Sequence, residues 1–242
     1  MKKVWQRLIS FCCVTAALCS LLPSANAATV SFNDTYAIAN GLNYTAASSE
    51  NGTVRQQSFR MEYTPGGDIA PIVAYGSKLY GKSTINEVVS YLEKQGQSVF
   101  GAANADFFVL STGLPNNLVI NEGRLVSSDG AWNAVGITKE GRVLCGTPGM
   151  AISLYSATTG NYPIYAINKQ RTDAGIYLLN SDFSGYTRST GSGTDVLLRP
   201  LDSDPLQVGK PKQFEVVSVN AVNGSVSFDE NLYVLTASNC FG

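Results

Sequence analysis

Glycine-bearing turn signals cut this chain at short intervals, and the stretches between them are too short for helices. Asn121-Glu122-Gly123, Lys139-Glu140-Gly141, Thr158-Thr159-Gly160-Asn161 and Asn223-Gly224 each separate two runs rich in strand-forming side chains. A tight antiparallel connection needs positive φ, which glycine adopts without a Cβ clash. The pattern predicts hairpins pairing 118–121 with 124–127, 134–138 with 142–145, 151–155 with 162–167, and 214–222 with 225–228. Further strands are expected at 54–63, 69–75, 98–103, 175–179, 195–199 and 232–236. The Ser-, Gly- and Thr-rich stretch 181–193 reads as a long loop over the surface.

One segment has helical periodicity instead. Ile85, Val88, Val89 and Leu92 fall at i, i+3, i+4 and i+7; Thr84-Ile85-Asn86-Glu87 has capping-box spacing; Gly96 supplies the stop. The expected fold class is therefore α+β: a mainly antiparallel, strand-rich body with one helix, about 84–95, packed on the sheet. Strand 98–103 would follow that helix, leaving residues 104–108 at the carboxyl end of a central strand, where open sheets tend to hold ligands.

The first 27 residues read as a signal peptide. Lys2, Lys3 and Arg7 precede an apolar run over 8–22, Pro23 interrupts it, and Ala25-Asn26-Ala27 has the small-x-small pattern of a cleavage site. The run is about 15 residues, short of the roughly 20 that span a bilayer. The expectation is export with cleavage after Ala27, a secreted or cell-envelope location, and no membrane span after signal removal. Residues 28–40 read as a lead-in and 41–242 as one domain. Cleavage removes three basic residues, leaving 14 Lys and Arg against 18 Asp and Glu, a net charge of −4. No basic run remains, which argues against a nucleic-acid partner. Cys12, Cys13 and Cys19 leave with the signal, so Cys145 and Cys240 either bridge or stay as two thiols.

The chain has no histidine, which closes the serine triad, the Cys–His pair and the H-E-x-x-H zinc site. Carboxylates, amides, hydroxyls or arginine must carry any chemistry, and no residue stands out as a metal ligand. The most pointed constellation is Gly101-Ala102-Ala103-Asn104-Ala105-Asp106-Phe107-Phe108, followed by Gly113-Leu114-Pro115. On an extended backbone Asn104 and Asp106 share a face. Such a pair can orient a sugar hydroxyl, ligate a hard cation or move a proton; alternatively, it simply bonds nearby backbone amides.

With these motifs go Leu118-Val119-Ile120-Asn121-Glu122-Gly123, Ala134-Val135-Gly136-Ile137 before Glu140-Gly141, Asn168-x-x-Arg171 leading into Gly175-Ile176-Tyr177-Leu178-Leu179, and Leu232-Tyr233-Val234-Leu235. In this order they resemble the phosphodiester glycosidase family, that of N-acetylglucosamine-1-phosphodiester α-N-acetylglucosaminidase. The resemblance implies hydrolysis of a sugar-1-phosphodiester at the glycosidic C–O bond, on cell-surface or extracellular glycoconjugates. Asp106 would be the acid/base or electrostatic group, Asn104 the substrate orienter, Arg171 the phosphate contact and Asn168 its support. The partner would be a carbohydrate or sugar phosphate. The family's Asp- and Gly-rich closing segment is not found before Gly242, so the chain is expected to be an incomplete domain with little turnover. Glycoside cleavage normally uses two carboxyl groups; Glu122, Asp129, Asp173 and Asp182 are further candidates, each also readable as a turn charge. The alternative is a non-catalytic carbohydrate-binding module, drawing on 12 tyrosines and 10 phenylalanines, among them Tyr80, Phe183 and Tyr186.

Overall fold

The structure, a computed structural model, describes residues 29–51, 54–128, 132–172 and 175–238. The expected signal peptide, Cys240, Asp129 and Asp173 lie outside the described residues. Strands make up 43% of the described residues and helix 5%, which gives the α+β class with one helix and mainly antiparallel sheets. The chain divides into two compact units, Met1–Ile69 and Ala70–Gly242.

The first unit is an antiparallel meander of β1 (Thr29–Ala39), β2 (Leu42–Asn51) and β3 (Val54–Tyr63). The stretch read as a lead-in is thus mostly a strand. Its turn is Asn40-Gly41, with Gly41 at φ 88, and the Thr64-Pro65-Gly66-Gly67 turn folds beneath it. A Cβ on Gly67 would lie 2.2 Å from the Asn40 carbonyl oxygen, so no other residue fits there.

In the second unit, β10 (Ala166–Ile167), β11 (Ile176–Leu179), β14 (Tyr233–Ala237), β12 (Ser192–Pro200) and β13 (Phe214–Asn223) form a five-stranded sheet in the order β10-β11-β14-β12-β13. The β10–β11 pair is parallel and the other pairs are antiparallel. Alternation along β11 and β14 feeds two cores. Leu178 and Leu235 join Ile167, Ile176 and Leu198, whereas Leu179 and Val234 join Leu79, Leu114, Val126 and Phe183. Three two-stranded hairpins complete the unit: β4–β5 (Val119–Asn121, Arg124–Ser127), β6–β7 (Ala134–Ile137, Val143–Gly146) and β8–β9 (Ser153–Ser156, Gly160–Pro163). All three form where glycine turns predict them.

Helix α1 (Ile85–Lys94) forms with a complete capping box, Thr84 N donating to Glu87 Oε2 at 2.6 Å and Glu87 N to Thr84 Oγ1 at 3.3 Å. None of its residues is buried, so the expected seat on the sheet is not found. The strand meant to follow it, 98–103, does not form, and neither does 69–75. Gly101-Ala102-Ala103 has no β-branched side chain to pack on a pleated surface. The 214–222 strand pairs with β12 rather than with 225–228. That segment turns back at Gly224 and zips onto the 185–188 loop: Thr187 N donates to Val226 O at 2.8 Å and Arg188 N to Ser225 Oγ at 3.0 Å.

The loop after β11 also departs from expectation. It is irregular, but it runs through the interior, burying Phe183, Ser184, Thr187 and Ser189. Buried backbone must find partners, and here Leu79 N donates to Asp182 O at 2.7 Å and Tyr80 N to Phe183 O at 2.9 Å. Phe183 is 0% exposed and Tyr155 is 74% exposed. In urea unfolding, Phe183→Ala is expected to lose about 3–5 kcal/mol, while Tyr155→Ala stays within about 0.5 kcal/mol of the parent.

Candidate functional site

The Asp106 motif lies on an exposed, tightly tied loop rather than at a strand end. Asn116 N donates to Phe107 O at 2.9 Å and Val109 N to Leu114 O at 2.8 Å, closing a hairpin-like turn. The turn is anchored at its tip. Gly81 N donates to Thr112 O at 2.8 Å, Leu114 is buried in the core, and a Cβ on Gly113 would fall 1.8 Å from Gly81 O. The Asp106 carboxylate accepts Phe107 N at 2.7 Å, Asn117 Nδ2 at 2.9 Å and Asn117 N at 3.4 Å. Part of its capacity is thus spent on nearby amides, the structural alternative for this motif. Asn104 is exposed on the same loop. Phe107, 71% exposed, lies 6.5 Å from Trp132, centroid to centroid, and the two rings form an open aromatic surface beside the carboxylate. Lys169 Nζ donates to the carbonyls of Pro115 and Asn117, tying the loop to the end of β10.

Asn168 and Arg171 are elsewhere, inside the protein. Asn168, directly after β10 and at φ 53, is fully buried. Its Nδ2 donates to Val126 O and Asn180 Oδ1, both at 2.7 Å, and its Oδ1 accepts Asn180 N at 2.9 Å. Arg171 is also buried, its terminal nitrogens donating to the carbonyls of Thr190, Gly191 and Ser192 at 3.1–3.2 Å. A Cβ on Gly193 would sit 2.0 Å from Arg171 Nη1. The spacing that suggested a phosphate contact places this guanidinium under the turn into β12, with its terminal nitrogens on carbonyls. Its nearby charge is Asp195, whose carboxyl is pushed up by burial and drawn back by Thr236 and Arg171.

A further polar cluster was not expected as a unit. Arg124 Nη1 donates to both Asp182 oxygens at 2.6 and 2.5 Å, Arg124 Nη2 to Tyr75 Oη at 2.6 Å, and Tyr75 Oη to Asp182 Oδ1 at 2.8 Å. Asp182 is thereby committed, with both oxygens on one guanidinium nitrogen of Arg124, and Glu122 is exposed at the β4–β5 turn. The cluster's members are 49 to 107 residues apart in sequence, so no local spacing announces it. Cys145 is exposed and free. Among the described residues no group of three or more His, Cys, Asp or Glu could hold a metal, and no helix is long and apolar enough to cross a membrane.

No protein-family model matches the chain, and no curated protein does. Among solved structures, a hypothetical protein from Synechocystis has a similar fold, with a TM-score of 0.57 and 11% identity over 84% of this chain. The match takes in 36% of that protein, so the chain spans about a third of its length. At this identity the likeness shows fold alone.

Burial, with the Asp182 carboxylate beside it, pushes the Tyr75 phenol from 10.0 up to about 12. A group whose folded pKa is raised contributes stability that is complete below its unfolded pKa and lost as pH rises through the folded one. Stability is therefore expected to fall between about pH 10 and about 12. Tyr75→Phe should flatten that slope in urea midpoints measured across the window.

Proposed function

We propose that this is an exported protein of phosphodiester-glycosidase type, directed at sugar-1-phosphodiesters of cell-surface or extracellular glycoconjugates, with the 104–117 loop as its sugar-binding surface. The observation that carries this reading is the juxtaposition of the Asp106 carboxylate, held by the Asn117 amide, with the exposed Phe107–Trp132 surface. Aromatic faces stack on the apolar face of a pyranose, while the carboxylate and the exposed Asn104 amide of the same loop take its hydroxyls. The motif order of the sequence supports the same class.

In that reaction the anomeric C–O bond breaks, water adds to the sugar carbon and a phosphomonoester departs. The developing charge resembles an oxocarbenium ion. The Asp106 carboxylate already accepts three N–H groups. Its role is to orient a hydroxyl or face positive charge, with Asn104 alongside as orienter.

A specific observation also favours the alternative, a non-catalytic carbohydrate binder. Asp182, one of the candidate second carboxylates, is engaged with Arg124. Two measurements separate the readings: calorimetric binding of a hexose 1-phosphate, and release of free sugar from a sugar-1-phosphodiester. Phe107→Ala is expected to weaken binding several-fold, from about 0.5–1.5 kcal/mol of lost aromatic contact. Asp106→Asn is expected to lower sugar release about 100-fold or more if the protein is catalytic. Binding without any release, with Asp106→Asn changing affinity alone, would move the assignment to the binding module. Unchanged affinity and turnover in both variants would remove this loop from the function.

A further inference from the structure

Arg188 is held in a way that its structural contacts do not account for. Its backbone sits at φ 52, a left-handed conformation uncommon outside glycine. The backbone is pinned there, its N–H donating to Ser225 Oγ and its carbonyl accepting Gln170 Nε2, both at 3.0 Å. The half-buried guanidinium lies between two tyrosine rings, 4.7 Å from the Tyr80 centroid and 5.1 Å from that of Tyr186. Its Nε donates to Ser184 Oγ at 3.2 Å. Among the described residues no carboxylate pairs with it, and its two terminal nitrogens have no acceptor. The contrast with Arg171, whose terminal nitrogens are taken by three carbonyls, is direct.

Cation–π contact with two tyrosine rings holds the guanidinium and leaves the edge that carries its terminal nitrogens open. That edge has the fork geometry that matches a phosphate. Its position also fits. Gln170, on the Arg188 carbonyl, follows Lys169, which holds the loop carrying Asp106. Tyr80, on the guanidinium face, precedes Gly81, which bonds the tip of the same loop. On the Ser184 side lies a cavity of about 390 Å³ lined by Lys78, Ser184, Phe228, Asp229, Glu230 and Asn231 among others, a volume within the range of small-ligand pockets.

We propose that Arg188 is the anion contact of this surface and takes the phosphate group of a sugar phosphate through its open terminal nitrogens. The sugar part of this assignment rests on the function proposed above; the anion site does not.

Calorimetry or ³¹P NMR with a hexose 1-phosphate, the free hexose and inorganic phosphate, on the whole chain, tests it. Arg188→Gln should weaken hexose 1-phosphate binding about 10-fold or more, the loss of a charge-assisted contact, and leave free-hexose binding unchanged. Arg188→Lys, which keeps the charge and the fold but loses the planar fork, should recover part of the affinity. Equal hexose 1-phosphate binding by the parent, Arg188→Gln and Arg188→Lys overturns the anion contact while leaving the sugar reading in place. No binding of either phosphate ligand by the parent overturns it as well. Arg188-dependent binding of inorganic phosphate with no affinity for either hexose compound would keep the anion contact and remove the sugar reading.

Discussion

The second unit turns on one buried amide. Asn168, at the end of β10, bonds the Val126 carbonyl of β5 and both the amide oxygen and backbone N–H of Asn180 at the end of β11. Each of these groups is buried, so each would carry a penalty of roughly 1–3 kcal/mol if left without a partner. One side chain thereby fixes the spacing of three strands at their carboxyl or central positions. It also starts the two segments that matter for function: Lys169-Gln170 on one side and the 181–191 loop on the other.

From that node the surface is assembled by carbonyl contacts rather than by strand geometry. Lys169 grips the Asp106 loop, Gln170 grips Arg188, and the loop after β11 carries the Tyr186 and Ser184 contacts of that arginine. Two arginines divide the work. Arg171 satisfies the carbonyls of the turn into β12 and serves the fold, whereas Arg188 keeps its terminal nitrogens open. Buried carbonyl-bound guanidinium is a strut; an aromatic-clamped guanidinium without a counter-ion is a receptor for an anion.

How much of this is legible in the sequence depends on how local the cause is. The β4–β5, β6–β7 and β8–β9 hairpins are readable because each turn needs a positive φ and supplies the glycine for it. Helix α1 is readable because Thr84, Glu87 and Gly96 write its ends. The β1–β2 hairpin is open to the same reading, since Asn40-Gly41 is a strong turn dipeptide, but residues 28–40 read as a lead-in. The helix's missing seat and the burial of the 181–191 loop are not local properties. Serine, glycine and threonine look like surface until distant strands take their hydrogen bonds. The Asn104–Asp106 pair stands out in the sequence, but its place on an exposed loop does not, because the strand expected before it does not form. Arg188 does not stand out, because Tyr80 lies 108 positions away, and the three-residue spacing of Asn168 and Arg171 instead marks two structural side chains.

In the proposed arrangement the 104–117 loop and Arg188 form one ligand surface organised from Asn168. Backbone-amide NMR during titration with a hexose 1-phosphate tests this most directly. The expected result is shifts concentrated at Phe107, Asn117, Gln170 and Arg188, with little change in residues 29–69. Shifts confined to 29–69, or binding that leaves both 106–117 and 184–188 unperturbed, would contradict it.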